Sequence, residues 1–380
     1  MEDELPSDSG VVVKVGGSLL RSPSSYFEVA RRIKALLERR GGGVIVVSAM
    51  KGVTDLLLSA ARGSKGALDE VRRRYGDAAY EVGGAGLRTL ILKRLGIVER
   101  LLGGSRCITP STVDAVLSVG EVVSKEILLQ ALRGSGVEAE GVDSLEVVRT
   151  DGRFGNASIL YDETKRLLES KVKPLVSSGV AVVMEGFIGT SVSGYVTTLG
   201  RGGSDYTAVS VAALLKLPEV RIVTDVPGIM SADPSIVAGA RRVKELSLSE
   251  VHEASVYGAK RLHPRTFYPV SLHPLVKVFV GEWDSGTRID ARVKPSGRVK
   301  LVTHRKFGSF HYVAVVGEGM RKEEVIKEVV EASAERGFSI KGLYSSPHKP
   351  SVVFSVSPEN LKEAVRSIHS RIIEVLGDED

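Results

Sequence analysis

The 380-residue sequence predicts an α/β fold, a mainly parallel sheet between helices, followed by a smaller α+β domain. Three observations carry this expectation. Strand-like and helix-like segments alternate over the first three-quarters of the chain. The strand-like segments are continuous Val/Ile runs rather than alternating ones, which is the pattern of strands buried on both faces. Near residues 281–300 the composition shifts to "GEWDSGTRIDARVKPSGRVK", rich in Gly, Ser, Pro and charge, and this reads as a boundary.

The elements follow in order. "GVVVKVGG" is a strand ending in glycine, and "SSYFEVARRIKALLERR" has apolar residues at helical spacing behind a serine cap. "GGGVIVVSAM" is a second buried strand and "TDLLLSAARG" opens a helix. "STVDAVLSVGEVVSKEILLQALRGSG" reads as a long helix, "VEAEGVDS" as a strand running into a turn, and "YDETKRLLESKVKPLVSSG" as one helix. "VAVVMEGFIG" is a strand, "DYTAVSVAALLKL" a helix and "EVRIVTDVPGI" a strand. Beyond the boundary, "HYVAVVG", "RKEEVIKEVVEASAERG", "FSIKGLYSS", "PSVVFSVS" and "PENLKEAVRSIHSRI", with "IEVLG" as a last strand, give the order βαββαβ. The domain reading is therefore 1–290, a connecting segment at 291–309, and 310–380.

Composition narrows the classes of function. Hydrophobic residues make up 43% and charged residues 26%, ordinary for a soluble globular protein. The acidic, polar start "MEDELPSDSG" is no signal peptide, and no apolar run reaches the roughly 18 residues that span a bilayer; the expectation is a cytoplasmic protein with no membrane partner. The single cysteine, Cys107, excludes a disulfide within the chain and a cysteine-rich metal site, and no metal-binding residues are assigned. The net charge of +6 comes from dispersed Lys and Arg with only 5% aromatics, so an anionic small-molecule substrate is favoured over nucleic acid. Two Asn and one Gln in the whole chain suit a thermophile.

Several segments bear residues suited to chemistry. In "VVVKVGGSLL", Lys14 precedes Gly16 and Gly17 at a strand tip. An ammonium beside exposed backbone N–H groups suits a phosphate, and glycines let it approach closely, with a following helix N-terminus adding a favourable dipole. The bland alternative is a glycine turn with a surface lysine, and the pattern is neither a Walker A loop nor G-x-G-x-x-G. "TTLGRGGSDYTA" gathers Arg201, Gly202, Gly203, Ser204 and Asp205 where a loop opens a helix. Arg201 can clamp a carboxylate or phosphate, while Asp205 is either a helix cap or a holder of lysines. "TDVPGIMSADP" is a ligand-bearing loop at a C-terminal sheet edge or a plain double turn. In "YGAKRLHP", Lys260 is a candidate second phosphate cation and His263 a structural residue. "SAMKGVTD" offers hydroxyls that cap a helix or bind substrate, and Glu121 in "SVGE" faces solvent unless a substrate ammonium lies opposite.

Together "VVSAMKGVTD", "GFIG", "TTLGRGGSDYTA", "TDVPGI" with "ADP", and "YGAKRLHPRT", in this order, resemble the aspartate kinases of the amino-acid kinase superfamily over nearly the whole chain. The resemblance implies an amino-acid-kinase-like three-layer sandwich over 1–290 and an ACT-like domain over 310–380, with 291–309 a linker or the remnant of a first ACT module. It implies ATP-dependent phosphorylation of the β-carboxylate of L-aspartate to 4-phospho-L-aspartate, the first step to lysine, threonine and methionine, with Mg²⁺ held mostly by ATP and water. Lys14 would stabilise the phosphoryl group in flight, with Gly16, Gly17 and Ser18 as its cradle and Gly202 and Gly203 also near phosphate. Asp205 would orient the catalytic lysines and Lys260 would contact ATP phosphates. Thr224, Asp225, Met230 and Ser235 would lie along the nucleotide. Arg201 would pair with the substrate α-carboxylate, near Ser48, Thr54, Phe187 and Ser204, and Glu121 would accept the substrate ammonium. A homodimer is expected, through the ACT-like domain.

The departures from the family pattern matter as much. The loop usually reads Lys-Phe-Gly-Gly-Thr-Ser; here it is Lys14-Val15-Gly16-Gly17-Ser18-Leu19, so one hydroxyl and the phenylalanine are lost. Met230 and Ser235 stand where Tyr and Arg are common, and Lys51 replaces a small residue. In the tail "SSPHKPS" replaces Thr-Ser-Glu-Ile-Lys-Ile-Ser, and two prolines remove backbone donors; feedback by lysine or threonine is expected to be weak or absent. The alternatives are a kinase of this fold with another amino acid or small carboxylate as acceptor, and a non-catalytic ACT-type amino-acid sensor.

Overall fold

The computed structural model describes residues 10–103, 108–260 and 262–376; Cys107 and the acidic N-terminal stretch lie outside them. The chain divides into two compact units, Met1–Asp225 and Val226–Asp380.

The first unit begins with β1 (Val11–Val15), α1 (Pro23–Arg40), β2 (Gly43–Val47), α2 (Val53–Ala61), α3 (Lys65–Gly103) and α4 (Pro110–Gly134). It continues through β3 (Ala139–Gly141), α5 (Ser144–Val147), β4 (Arg149–Thr150), α6 (Tyr161–Lys171), α7 (Lys173–Ser177) and β5 (Ala181–Glu185). β6 (Ile188–Ser191), β7 (Val196–Thr198), α8 (Gly203–Leu215) and β8 (Glu219–Val223) complete it. Strands β3, β5, β2, β1 and β8 lie side by side in that order, all parallel. The Val/Ile runs of β1 and β2 are fully buried, as strands covered on both faces require. Val15 is in register with Val47 and Val223, and Val47 with Glu185. The four loops that leave β1, β2, β5 and β8 therefore emerge at one carboxyl edge of the sheet, where α/β folds place ligands. A small mixed sheet, β4-β6-β7, stands apart.

Two expectations need correction here, and one helix is new. No α-helix opens directly behind the Lys14 glycines: Gly17–Leu19 form one 3₁₀ turn. The helix starts at Pro23, because Ser22 and Ser25 form a capping box and proline fixes the first turn. "YDETKRLLESKVKPLVSSG" is two helices, α6 and α7, split at Val172 just before Pro174, which has no N–H to continue the ladder. The long α3 was not foreseen; it is kinked at Gly83 and Gly84, whose dihedrals are not helical.

The second unit holds β9 (Glu245–Leu246), α9 (Leu248–Val256), α10 (Tyr268–Leu272), β10 (Lys277–Gly281) and β11 (Thr287–Ile289), followed by β12 (Leu301–Phe307) and β13 (Phe310–Val316). Then come α11 (Lys322–Arg336), β14 (Ile340–Ser345), β15 (Ser351–Val356) and α12 (Leu361–Leu376). β12-β13-β15-β14 form an antiparallel sheet. Val302, Val313, Val315, Val352 and Phe354 on the sheet share one core with Val325 and Val329 of α11 and Val365, Ile368 and Ile372 of α12. "IEVLG" is not a last strand. It continues α12 to Leu376, since the spacing of Val365, Ile368 and Ile372 is helical, and the edge beside β13 is occupied by β12 instead. Among the described residues no helix is long and apolar enough to cross a membrane.

Candidate active site

The tip of β1 sets the centre of the site in the first unit. Lys14 is the one polar residue in a buried run and is only 13% exposed, and its Nζ lies 2.7 Å from Asp205 Oδ1. A Cβ placed on Gly16 would stand 3.3 Å from that Nζ, so the ammonium sits over bare backbone. A Cβ on Gly17 would meet the Ala49 carbonyl oxygen at 2.5 Å, which leaves glycine as the residue that fits beside the loop leaving β2. Ser18 Oγ is buried without a hydrogen-bond partner among the described residues. Asp205 is not the cap of α8. Gly202 holds that place, with φ +73°, and Asp205 lies in the first turn, where a carboxylate is favoured by the helix dipole and is turned onto Lys14.

Two further loops close on this centre. A Cβ on Gly186 would lie 2.5 Å from Ser204 Cβ, and one on Gly203 would lie 2.8 Å from Phe187 Cδ2, so the loop after β5 and the start of α8 touch backbone to side chain. Phe187 holds a left-handed φ of +71°. It is fixed by its N–H donating to Thr207 Oγ1 at 3.2 Å and its carbonyl accepting from Leu199 N–H at 2.8 Å. A strained non-glycine residue so tightly held is characteristic of ligand clamps. Arg201 is exposed, and among the described residues it enters no ion pair.

Glu121 is the main surprise of this unit. It does not face solvent: it is 3% exposed on α4. Its Oε1 accepts from Ala49 N–H at 3.4 Å, and Oε2 has no partner among the described residues. Burial pushes its carboxyl up to about 8; the Ala49 N–H works against this and the charge of Glu185 adds to it. The same loop is fixed by Tyr75, whose hydroxyl accepts from Met50 N–H at 3.1 Å and donates to the Gly120 carbonyl at 2.7 Å. Ser48 and Thr54 are half-buried on this loop and on the first turn of α2.

Several positioning residues were not singled out from the sequence. Asp114, buried at the start of α4, accepts from Gly155 N–H and Thr198 N–H, both at 2.8 Å, and from the Thr198 hydroxyl at 2.9 Å. It thereby anchors the segment leading to Arg201. Arg21 pairs with Asp225 and donates to the Ser18 carbonyl, joining the glycine loop to the loop after β8. Thr224, buried, donates to Asp225 Oδ1 at 3.2 Å. Below Glu121, Lys125 is buried between Glu185, at 2.8 Å, and Asp143.

In the second unit, Met230, Ser235 and Lys260 line one cavity of about 370 Å³ together with Asp233 and His304. Lys260 Nζ lies 2.9 Å from Asp233 Oδ1 and 2.8 Å from Oδ2. The Ser235 N–H and hydroxyl reach Asp233 Oδ1 at 3.0 and 2.8 Å. Burial alone would raise the Asp233 carboxyl; Lys260 and Ser235 outweigh it and hold the group below its usual range.

Residues 9–280 match the model of the amino acid kinase family. The chain belongs to that family. Within it, the lysine-sensitive aspartokinase 3 of Escherichia coli (strain K12) is 33% identical over 291 residues, 71% of this chain and 61% of that protein. The aspartokinase of Thermus thermophilus is 27% identical over 375 residues, covering 97% of this chain and 81% of that one. The chain thus spans about three-fifths of the first relative and four-fifths of the second. Among solved structures, E. coli aspartokinase III in complex with aspartate and ADP aligns with TM-score 0.73 at 27% identity, over 97% of this chain and 84% of that one. Clostridium acetobutylicum aspartate kinase, at 20% identity and TM-score 0.77, shares the fold. This amino acid kinase therefore groups with the aspartokinases in both sequence and fold.

Proposed function

We propose that this chain is an aspartate kinase, transferring the γ-phosphoryl group of ATP to the β-carboxylate of L-aspartate. The observation that carries the reading is the Lys14–Asp205 pair at 2.7 Å, poised over the Gly16–Gly17 backbone. The E. coli relative solved with aspartate and ADP supports the choice of acceptor and nucleotide.

Phosphoryl transfer asks mainly for positioning and charge stabilisation. The substrate β-carboxylate is already ionised at pH 7 and needs no general base. One of its oxygens attacks the γ-phosphorus, the bond to the bridging oxygen breaks, and ADP leaves with that electron pair; the product is 4-phospho-L-aspartate. Lys14 offers its ammonium to the charge in flight, and Asp205 keeps that ammonium aimed. Gly16, Gly17 and Ser18 supply N–H groups and a hydroxyl; Gly202 and Gly203 keep the start of α8 open to phosphate. Arg201 takes the α-carboxylate, Glu121 the ammonium, and Ser48, Thr54, Phe187 and Ser204 shape the acceptor pocket. Lys260 serves the ATP phosphates, with Thr224, Asp225, Met230 and Ser235 along the nucleotide. Mg²⁺ fits as an ion carried by ATP and water, because Asp205, Asp225 and Asp233 are each paired with a cation of the chain.

The reading includes three further elements. The enzyme works in the cytoplasm, where ATP is available, at the entry to lysine, threonine and methionine synthesis; the scarcity of Asn and Gln supports a thermophilic source. The domain reading is a catalytic domain at 1–290 and an ACT-like domain that starts at β12 rather than at 310, because β12 pairs with β13 in its sheet. The enzyme is a homodimer paired through the ACT-like domain, whose β14 is a sheet edge carrying Tyr344, 55% exposed.

One observation favours a second reading: Leu19, half-buried in the turn beside Ser18, replaces a hydroxyl and suits another small amino acid or carboxylate. ADP release measured with MgATP over a panel of amino acids, with hydroxylamine to trap acyl phosphates, separates the two. Hydroxamate from aspartate alone supports the first reading, and turnover only with another acceptor replaces it.

A further inference from the structure

Strand β12 lies beyond residue 280, outside the family match, yet it forms part of the cavity wall around Lys260. Arg305 Nη1 donates to the Val256 carbonyl at 3.0 Å and Thr303 Oγ1 to the Tyr257 carbonyl at 3.3 Å. The strand thus caps the last carbonyls of α9, which α-helices leave unpaired. Gly258, with φ +91°, approaches so closely that a Cβ there would meet the His304 carbonyl oxygen at 2.5 Å. His304 is held against the short loop that carries Lys260.

The His304 side chain faces the carboxylate that Lys260 occupies. Its Nε2 is 3.9 Å from Asp233 Oδ2, the same oxygen that Lys260 Nζ holds at 2.8 Å. Lys260 is 68% exposed and can swing away, whereas Asp233 is 14% exposed and stays. For Lys260 to serve a phosphate it must leave Asp233, and a largely buried carboxylate stripped of its cation is costly.

We propose that His304 takes over Asp233 when Lys260 turns to the nucleotide, which makes it the positioning residue that frees this lysine. The proposal rests on the assignment of Lys260 to nucleotide phosphates made above. Three groups face the ring: Asp233 from the loop before Pro234, Lys260 from the loop after α9, and His311 from β13, whose ring centroid is 5.9 Å away. Burial holds His304 below its usual range, Asp233 opposes this, and His311 and Lys260 reinforce it. Departure of Lys260 removes a repelling charge and leaves the attracting one, so His304 gains a proton as nucleotide binds.

The test is calorimetry of MgADP binding to the full chain at pH 7, in two buffers of different ionisation enthalpy. The wild type takes up a fraction of a proton per nucleotide. His304→Gln keeps a donor for Asp233, so it stays within about threefold of wild-type affinity but loses the uptake. His304→Ala loses the uptake and binds roughly tenfold more weakly, as expected for one hydrogen bond to a charged group. Wild-type affinity and uptake in His304→Ala, or undiminished uptake in His304→Gln, overturns the proposal. A wild-type chain that binds no MgADP overturns it together with the kinase reading. Normal aspartate phosphorylation with an unchanged His304→Ala overturns the role of His304 alone.

Discussion

Glu121 makes the pH dependence of aspartate binding a sharp prediction. Its carboxyl sits at about 8 in the free chain, so at pH 7 about one molecule in eleven carries the charge that a substrate ammonium needs. Each pH unit below that value costs about 1.4 kcal/mol of binding free energy. Aspartate should therefore bind about tenfold more weakly at pH 7 than near pH 9, where Glu121 is ionised and the substrate still carries its ammonium, and about a hundredfold more weakly at pH 6. Binding at pH 7 should release about nine-tenths of a proton from this group. Titration calorimetry of aspartate, repeated in buffers of different ionisation enthalpy, reads both quantities. Glu121→Gln should bind weakly at every pH and release no such proton. The variant also has a stability signature. The folded state holds a proton on Glu121 between the ordinary carboxyl range and pH 8, while the unfolded chain has lost it, so this group makes the fold less stable as pH rises through that window. Glu121→Gln should gain stability relative to wild type over the same range. A flat aspartate affinity from pH 6 to 8, or an unchanged affinity in Glu121→Gln, would refute the reasoning.

Other consequences can be checked by kinetics and denaturation. Lys14→Met should lower kcat by about a thousandfold with little change in the KM for aspartate, whereas Arg201→Ala should mainly raise that KM; the reverse pattern would exchange the two roles. Gly17→Ala places a Cβ 2.5 Å from the Ala49 carbonyl oxygen, so its urea midpoint should show a loss of about 1–3 kcal/mol and its kcat should fall; wild-type values would mean the loops part freely. Lys125→Ala leaves Glu185, 1% exposed, without its buried cation, and should lose about 3–5 kcal/mol in the same assay. Lysine or threonine at millimolar concentration should leave the rate unchanged, because the "SSPHKPS" turn departs from the family pattern; strong inhibition would contradict this.

The parallel sheet was legible because Val/Ile runs such as Val11–Val13 and Val44–Val47 have no solvent-facing alternation to hide. The kinked α3 was not, because glycines through its length, Gly83 and Gly84 among them, blur a helical pattern. The edge strand β12 was obscured by its exposed half, Arg305–Phe307, inside a segment that reads as linker. Lys14, Glu121, Arg201 and Asp205 were visible by residue type, but their partners depend on distance in space. Arg21 meets Asp225, 204 residues away in sequence, and no local pattern announces that. One signal was available and unused. Asp114, Ser118, Glu121 and Lys125 recur at helical spacing within an apolar helix, and all four are buried. A polar stripe on a core helix marks groups with partners or ligands.

The most direct test of the account is mass-spectrometric detection of 4-phospho-L-aspartate formed from MgATP and L-aspartate, with ADP measured in the same samples. The account predicts the acyl phosphate in a one-to-one ratio with ADP, and neither product from Lys14→Met beyond a trace. ADP formed without aspartyl phosphate, or aspartyl phosphate formed equally well by Lys14→Met, would contradict it.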